Sequence, residues 1–155
     1  VPKLSAGVVM YRRVARGTEI FLVHPGGPLW ARKDGGAWSF PKGEYAAGED
    51  PAAVARREFE EETGFPLDGS LEPLTSVSQK GGKTVALFAI EGDCDATAIR
   101  SNTFTMEWPP KSGRAAEFPE VDRAGWFGPA EAKQKLNPAQ AAAVDALLAH
   151  LGDRQ

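Results

Sequence analysis

The sequence predicts an α/β fold, a mixed sheet lying between layers of helix. Three observations lead to it. Runs with strand character stand on both sides of one well-delimited helix at residues 51–63. Two proline-started helices follow towards the carboxy terminus. Nothing in the 155 residues reads as a linker, repeat or low-complexity segment, so one domain is expected over residues 1–155. That length buries about two-thirds of the surface an unfolded chain exposes.

Residues 5–12 (SAGVVMYR) and 19–23 (EIFLV) read as strands, rich in β-branched and aromatic residues and parted by an Ala15-Arg16-Gly17-Thr18 turn. His24-Pro25-Gly26-Gly27-Pro28 ends the second strand in a loop running to Gly36. Trp38-Ser39-Phe40 is a short extended piece. Pro41-Lys42-Gly43 is expected to be loop, because proline breaks a strand and glycine takes unusual backbone angles. Asp50 can cap the next helix, Pro51 suits its first turn, and Gly64 fits the position past its end. Strands are expected at 74–78 and 84–90, around Gln79-Lys80-Gly81-Gly82. Within residues 100–117, TFTMEW is compatible with a strand and Pro109-Pro110-Lys111-Ser112-Gly113 with loop. A last short strand is expected within 122–127. Gly128-Pro129 starts one helix, and Asn137-Pro138 starts another reaching Leu151.

Composition narrows the class of function. A net charge of −3 gives no general attraction to nucleic acid. No run approaches the length of about eighteen apolar residues that a membrane span needs, and the amino terminus shows no signal-peptide pattern. Cys94 is the single cysteine, so an internal disulfide is impossible and a reducing cytoplasm is the expected compartment. His24 and His150 read as structural and surface histidines respectively.

The chemistry is concentrated in residues 43–65, GEYAAGEDPAAVARREFEEETGF. On a helix, Glu58, Glu61 and Glu62 stand at i, i+3 and i+4, so these carboxylates share one face. Like charges that close repel unless a cation sits among them. Hard divalent cations take oxygen ligands, and Mg²⁺ is commonly shared between carboxylates and substrate phosphates. The pattern therefore points to phosphate chemistry.

At every specified position the segment resembles the signature of the Nudix hydrolase family: Gly43, five residues, Glu49, seven residues, then Arg57-Glu58-Phe59-Glu60-Glu61-Glu62-Thr63-Gly64-Phe65. At average residue usage a chance match is expected in roughly one window per hundred million or fewer. The resemblance implies an α/β/α sandwich and a metal-dependent hydrolase that cleaves a pyrophosphate bond in a nucleoside diphosphate-linked substrate. It implies Glu58, Glu61, Glu62 and the Gly43 carbonyl as donors to Mg²⁺, with Mn²⁺ able to substitute. Glu49 falls in a supporting role. Arg57 is the orienting arginine, and its spacing suggests an ion pair with Glu61. Glu58 and Glu61 are the candidates on the helix for direct catalytic work.

A further carboxylate is expected from the late loop EFPEVDRAGWF, where Glu117, Glu120 and Asp122 are available. Glu120 is singled out because its spacing to Trp126 resembles the asymmetric diadenosine tetraphosphate hydrolases. Lys42, beside the metal loop, and Lys83, in a Lys-Thr-Val run, are candidate phosphate partners. Trp30 and Trp108 lie near Gly/Pro-rich loops and are candidate base-stacking residues, whereas Trp38 and Trp126 read as core.

The substrate is the least determined part. The proline that marks ADP-ribose enzymes of the family is replaced by Lys80-Gly81-Gly82-Lys83. The tyrosine of many dinucleoside polyphosphate enzymes is missing, the tyrosines being Tyr11 and Tyr45. The Trp-Ser-Phe-Pro-Lys-Gly-Glu approach and the Lys-Thr-Val strand favour diadenosine polyphosphates. Nucleoside triphosphates, including oxidised guanine nucleotides, are the alternative, and a non-catalytic nucleotide-binding regulator is the rival class. A small nucleotide is the expected partner, with nucleic acid and membrane disfavoured.

Overall fold

The computed structural model describes residues 3–152. Strand β1 (Lys3–Val14) is its axis, because both of its edges are paired. One edge runs parallel to β5 (Lys83–Glu91), with Leu4 opposite Thr84 and Met10 opposite Ile90. The other edge is shared. Its end pairs antiparallel with β2 (Gly17–Pro25), and its start pairs antiparallel with β3 (Lys42–Tyr45). With β4 (Glu72–Gln79) outside β5 and β8 (Val121–Phe127) outside β2, the sheet reads β4-β5-β1-β2-β8.

The period-two alternation of the strands separates two cores. Ala6, Val8, Met10, Phe21 and Val23 pack on one face against Val54, Ala55 and Phe59 of α1 (Pro51–Thr63). Val9, Ile20, Leu22, Val85 and Leu87 pack on the other, against Ala132 of α2 (Pro129–Lys135) and Ala143, Val144 and Leu147 of α3 (Ala142–Leu151). This is the mixed-sheet α/β sandwich that the residue patterns predict. Among the described residues, no helix is long and apolar enough to cross a membrane.

Three local expectations change. Residues 42–45, read as loop, form β3, because the free edge of β1 offers Leu4–Gly7 as a backbone partner and outweighs the local Pro-Lys-Gly signal. The helix expected from Asn137 is split into a short turn at Pro138–Gln140 and α3. There Asn137 donates its N–H to the Trp38 carbonyl at 2.8 Å, and buried Gln140 accepts from the Phe40 N–H at 3.1 Å. Those sheet contacts hold the chain out of a continuous helix. Finally, residues 100–117 hold more order than their sequence suggests. Here β6 (Thr103–Glu107) pairs antiparallel with β7 (Ala115–Pro119) as a two-stranded arm apart from the main sheet.

Candidate active site

The site begins with how α1 is held. Asp50 accepts the Ala52 N–H, Pro51 occupies the first turn, and Gly64 at φ 79° ends the helix in the left-handed region that glycine adopts without strain. Phe59 and Ala55 anchor the inner face in the core. Arg56 and Glu60 point to the following segment: Arg56 donates to the carbonyls of Leu67 and Gly69, and Glu60 accepts the Leu67 N–H. Glu60 therefore steadies the chain after the helix. Glu58, Glu61 and Glu62 are left together on the adjoining surface.

β3 supplies the opposite wall. A side chain at Gly43 would overlap the Glu58 carboxylate, so glycine here lets Glu58 keep its present place against the strand. The Lys42 backbone amide and ammonium both favour the charged form of the Glu62 carboxyl. Burial raises the Glu62 carboxyl to about 8, with the Lys42 contacts opposing and the charges of Glu120 and Glu58 adding. Glu58 is also raised, by burial first and then by Glu61, and Arg57 offsets part of this. Glu120 is raised by burial and by Glu61. These acids thus act on one another's charge across the space between α1 and the start of β8.

The lysines complete the electrostatics. Lys42 is held below the ordinary lysine range by burial, with Glu62 pulling it up and Lys83 pushing it down. Lys83 at the start of β5 is therefore within electrostatic reach of Lys42, and Lys42 of Glu62. Arg57 departs from the expected ion pair with Glu61: it lies 3.6 Å from Glu49 and 3.6 Å from Glu58. Glu49 also accepts the Ala46 N–H at 2.8 Å, so it ties the β3–α1 loop to the arginine.

Glu120 is placed by its backbone. Its N–H donates to the Asn102 carbonyl at 2.8 Å and its carbonyl accepts the Gly26 N–H at 2.9 Å. Asn102 in turn donates to the Glu61 carbonyl at 2.9 Å, linking helix, arm and β8. Glu62 and Glu120 line a cavity of about 310 Å³ with Pro25, Gly27, Trp30, Phe104 and Met106. Trp108 is at the far end of the arm and is not among the lining residues. Trp38 is buried and Trp126 half-buried, the core positions expected of them. His24 is fully buried, bridging Asp122 and the Lys33 carbonyl.

Phe104 and Met106 are the site residues that the sequence reading missed. Their alternation in TFTME was the available signal, but its partner strand was not recognised.

The donor set at Glu58, Glu61, Glu62 and the Gly43 backbone consists of oxygens, which fits a hard divalent cation. Among the described residues, no three His, Cys, Asp or Glu side chains converge closely enough to enclose an ion by themselves. An ion held here would have to complete its shell with water or substrate oxygens.

The NUDIX domain family model matches residues 1–147. Over 96 residues the chain is 34% identical to the RNA pyrophosphohydrolase of Brucella ovis, covering 52% of this chain and 51% of that protein. The chain thus spans about half the length of the curated relatives it matches. A C. elegans Ap4A hydrolase, solved as a binary complex, superposes with a TM-score of 0.65 at 19% identity, over 96% of this chain and 98% of that one. The NUDIX domain of Shewanella oneidensis NrtR, solved with ADP ribose, gives 0.65 at 12% identity, over 97% and 89%. Identities this low show the shared fold.

Proposed function

The chain belongs to the Nudix hydrolase family, and from that premise we propose that it hydrolyses a pyrophosphate bond in a nucleotide, with diadenosine polyphosphates as the substrate class. The observation that carries the reading is the group formed by Glu58, Glu61, Glu62 and Glu120, whose charges oppose one another beside half-buried Lys42 and nearby Lys83. A cation and a phosphate chain bound together would relieve that repulsion.

Glu58, Glu61, Glu62 and the Gly43 carbonyl would hold Mg²⁺ or Mn²⁺, which supplies charge neutralisation on the bridging phosphates and a more acidic water. The chain's own groups do the rest. Lys42 and Lys83 meet phosphate oxygens as point charges and set the chain's direction. Water attacks one phosphorus while Glu120, which lines the cavity and feels the charge of Glu61, takes its proton. The new P–O bond forms as the bridging P–O bond breaks, and the leaving phosphate departs with the electron pair. Arg57, between Glu49 and Glu58, keeps the Glu58 carboxylate aimed.

The approach segment Trp38-Ser39-Phe40-Pro41-Lys42-Gly43-Glu44 and the Lys83-Thr84-Val85 strand support a polyphosphate substrate, and the Ap4A hydrolase superposition is in keeping with it. The half-length likeness to RNA pyrophosphohydrolases favours a second reading, removal of a 5′ pyrophosphate from RNA. A panel of dinucleoside polyphosphates, nucleoside triphosphates and triphosphorylated RNA, with Mg²⁺ or Mn²⁺ and mass spectrometry of products, separates them. Hydrolysis of the dinucleotides with products of unequal phosphate length is expected. RNA cleavage whose binding weakens steeply with salt would move the assignment to RNA.

A further inference from the structure

His24 and Asp122 have no part in the hydrolytic scheme, yet they join the loop after β2 to β8 close to Glu120. His24 is fully buried, and both of its ring nitrogens meet an oxygen. Nε2 lies 2.6 Å from the Lys33 carbonyl in the loop, and Nδ1 lies 2.8 Å from Asp122 Oδ1 in β8. A carbonyl only accepts, so Nε2 carries a hydrogen and donates it. A second hydrogen must stand between Nδ1 and the Asp122 carboxyl, because two lone pairs do not meet at that distance. The ring is set edge-on to Trp38 with centres 5.2 Å apart, and Arg123 comes within 3.7 Å of Asp122.

The pair grips an irregularity in the sheet. His24 faces Arg123 and Pro25 faces Val121, which leaves Asp122 as one extra residue on β8. A bulge of this kind bends its strand and re-aims the side chains beyond it. A regular ladder would set Asp122 against Pro25 and turn Val121 to the opposite face. Instead Val121 is buried in the core that α1 covers, and Glu120, just before it, lines the cavity with Glu62. The extra residue is left out of the strand pairing, and the bond from its side chain to a buried ring holds it. The loop also lies hard against this segment: a side chain at Gly26 would collide with the Pro119 carbonyl, and the Gly26 N–H donates to the Glu120 carbonyl at 2.9 Å.

We propose that His24 is a positioning residue: with Asp122 it pins the bulge of β8 and so fixes where Glu120 stands beside Glu61 and Glu62. Neither member of the pair lines the cavity, so both act through Glu120. For its effect on turnover the inference rests on the reading of Glu120 as the proton acceptor; for its effect on the Glu120 backbone it rests on the bulge alone.

The test compares three variants of the intact protein. Asp122→Ala removes the bond at the bulge and leaves the bond to Lys33. Asp122→Asn restores a partner, its amide N–H meeting a His24 Nδ1 that carries no hydrogen. His24→Phe keeps a ring beside Trp38 and removes both bonds. Amide hydrogen exchange reads the Glu120 and Gly26 N–H groups, with the Val8 N–H, bonded to the Pro41 carbonyl, as control. Steady-state rates on diadenosine tetraphosphate with Mg²⁺ give kcat and KM. Asp122→Ala and His24→Phe should speed exchange at Glu120 and Gly26 by at least about tenfold and leave Val8 unchanged. In Asp122→Ala, kcat should fall by roughly ten- to a hundredfold with KM moving less than about threefold, and Asp122→Asn should restore it. Added to Glu120→Gln, Asp122→Ala should cost no further kcat, because its effect passes through a carboxylate already gone. Unchanged exchange at Glu120 and Gly26 overturns the proposal, and so does an equal acceleration at Val8, which marks general loosening. A kcat loss that Asp122→Asn leaves in place, or that persists undiminished beside Glu120→Gln, also overturns it. Faster exchange at Glu120 and Gly26 alone, in a protein that hydrolyses no polyphosphate or stays fully active as Glu120→Gln, supports the pinned bulge and overturns only the catalytic reading of Glu120.

Discussion

The carboxylate face of α1 and the apolar wall opposite it are neighbours with opposite physics. On the helix, Glu58, Glu61 and Glu62 come from five consecutive residues and are held in mutual repulsion, with burial raising Glu58 and Glu62. On the wall, Trp30, Phe104 and Met106 come from segments some seventy residues apart in sequence and meet through dispersion and exclusion of water. Glu120 belongs to both, lining the cavity while sensing Glu61. If the helix face carries the proposed reaction, its charged groups have fixed partners to lose, whereas the wall offers only apolar contact. Losses on the helix should therefore appear in kcat, and losses on the wall in KM.

The largest expected effect breaks the helix side. Glu61→Gln should lower kcat by on the order of a hundredfold or more with little change in KM. The same variant should melt no lower than the parent without divalent cations, because it removes one member of a repelling group. Unaltered steady-state rates would detach Glu61 from the reaction.

Glu120→Gln tests the residue the two regions share. A fall in turnover of at least about tenfold, with an unchanged circular-dichroism spectrum, is expected of a general base. Full activity would remove Glu120 from the chemistry and leave it as a cavity wall.

Next comes the pH dependence of the metal-free protein. The Glu62 carboxyl is at about 8 in the fold and at the ordinary 4.5 when unfolded, so the folded state holds the proton more tightly. Its stabilising contribution is full below about 4.5 and declines as pH rises towards about 8. Melting curves in a chelator should show Tm falling over that window. Glu62→Gln should flatten the fall, and an equally steep curve in that variant would assign it to another group.

The smallest effect lies on the wall side, in the loop that carries Trp30. Asp34 accepts from Lys135 and from the Trp38 indole N–H, and these bonds hold its carboxyl below the usual range. A depressed carboxyl contributes stability above its unfolded pKa and loses it as pH falls through the lower folded value. Asp34→Asn should therefore lower Tm slightly near neutrality and not at all in strong acid. Measured KM should rise more than kcat falls, because the loop and not the glutamates has been loosened.

Much of the helix side was legible in the residues because its signals are local. Asp50, Pro51 and Gly64 delimit α1, and the spacing of the glutamates places them on one face before any packing is known. Pro41-Lys42-Gly43 misled because strand β3 exists only through the edge of β1 that accepts it, a contact invisible to a local window. The partner of Arg57 was misread for a related reason. Helical spacing favours Glu61, but the loop before the helix brings Glu49 within 3.6 Å and Arg57 turns between it and Glu58. Residues 100–117 stayed opaque because Phe104 and Met106 gain meaning only when β7 pairs beside them and Gly27 comes up against the ring.

The sequence by itself determined the fold class, the capped helix and the acidic face on which the proposed reaction rests, since helical periodicity, caps and like-charge spacing act over a few residues. Tertiary structure alone decided that the charge of Glu61 reaches Glu120, that half-buried Lys42 lies within electrostatic reach of Glu62, and that a loop and a distant arm line an apolar cavity. Those outcomes depend on which strand edges pair and which surfaces lose water together, and both are properties of the assembled chain.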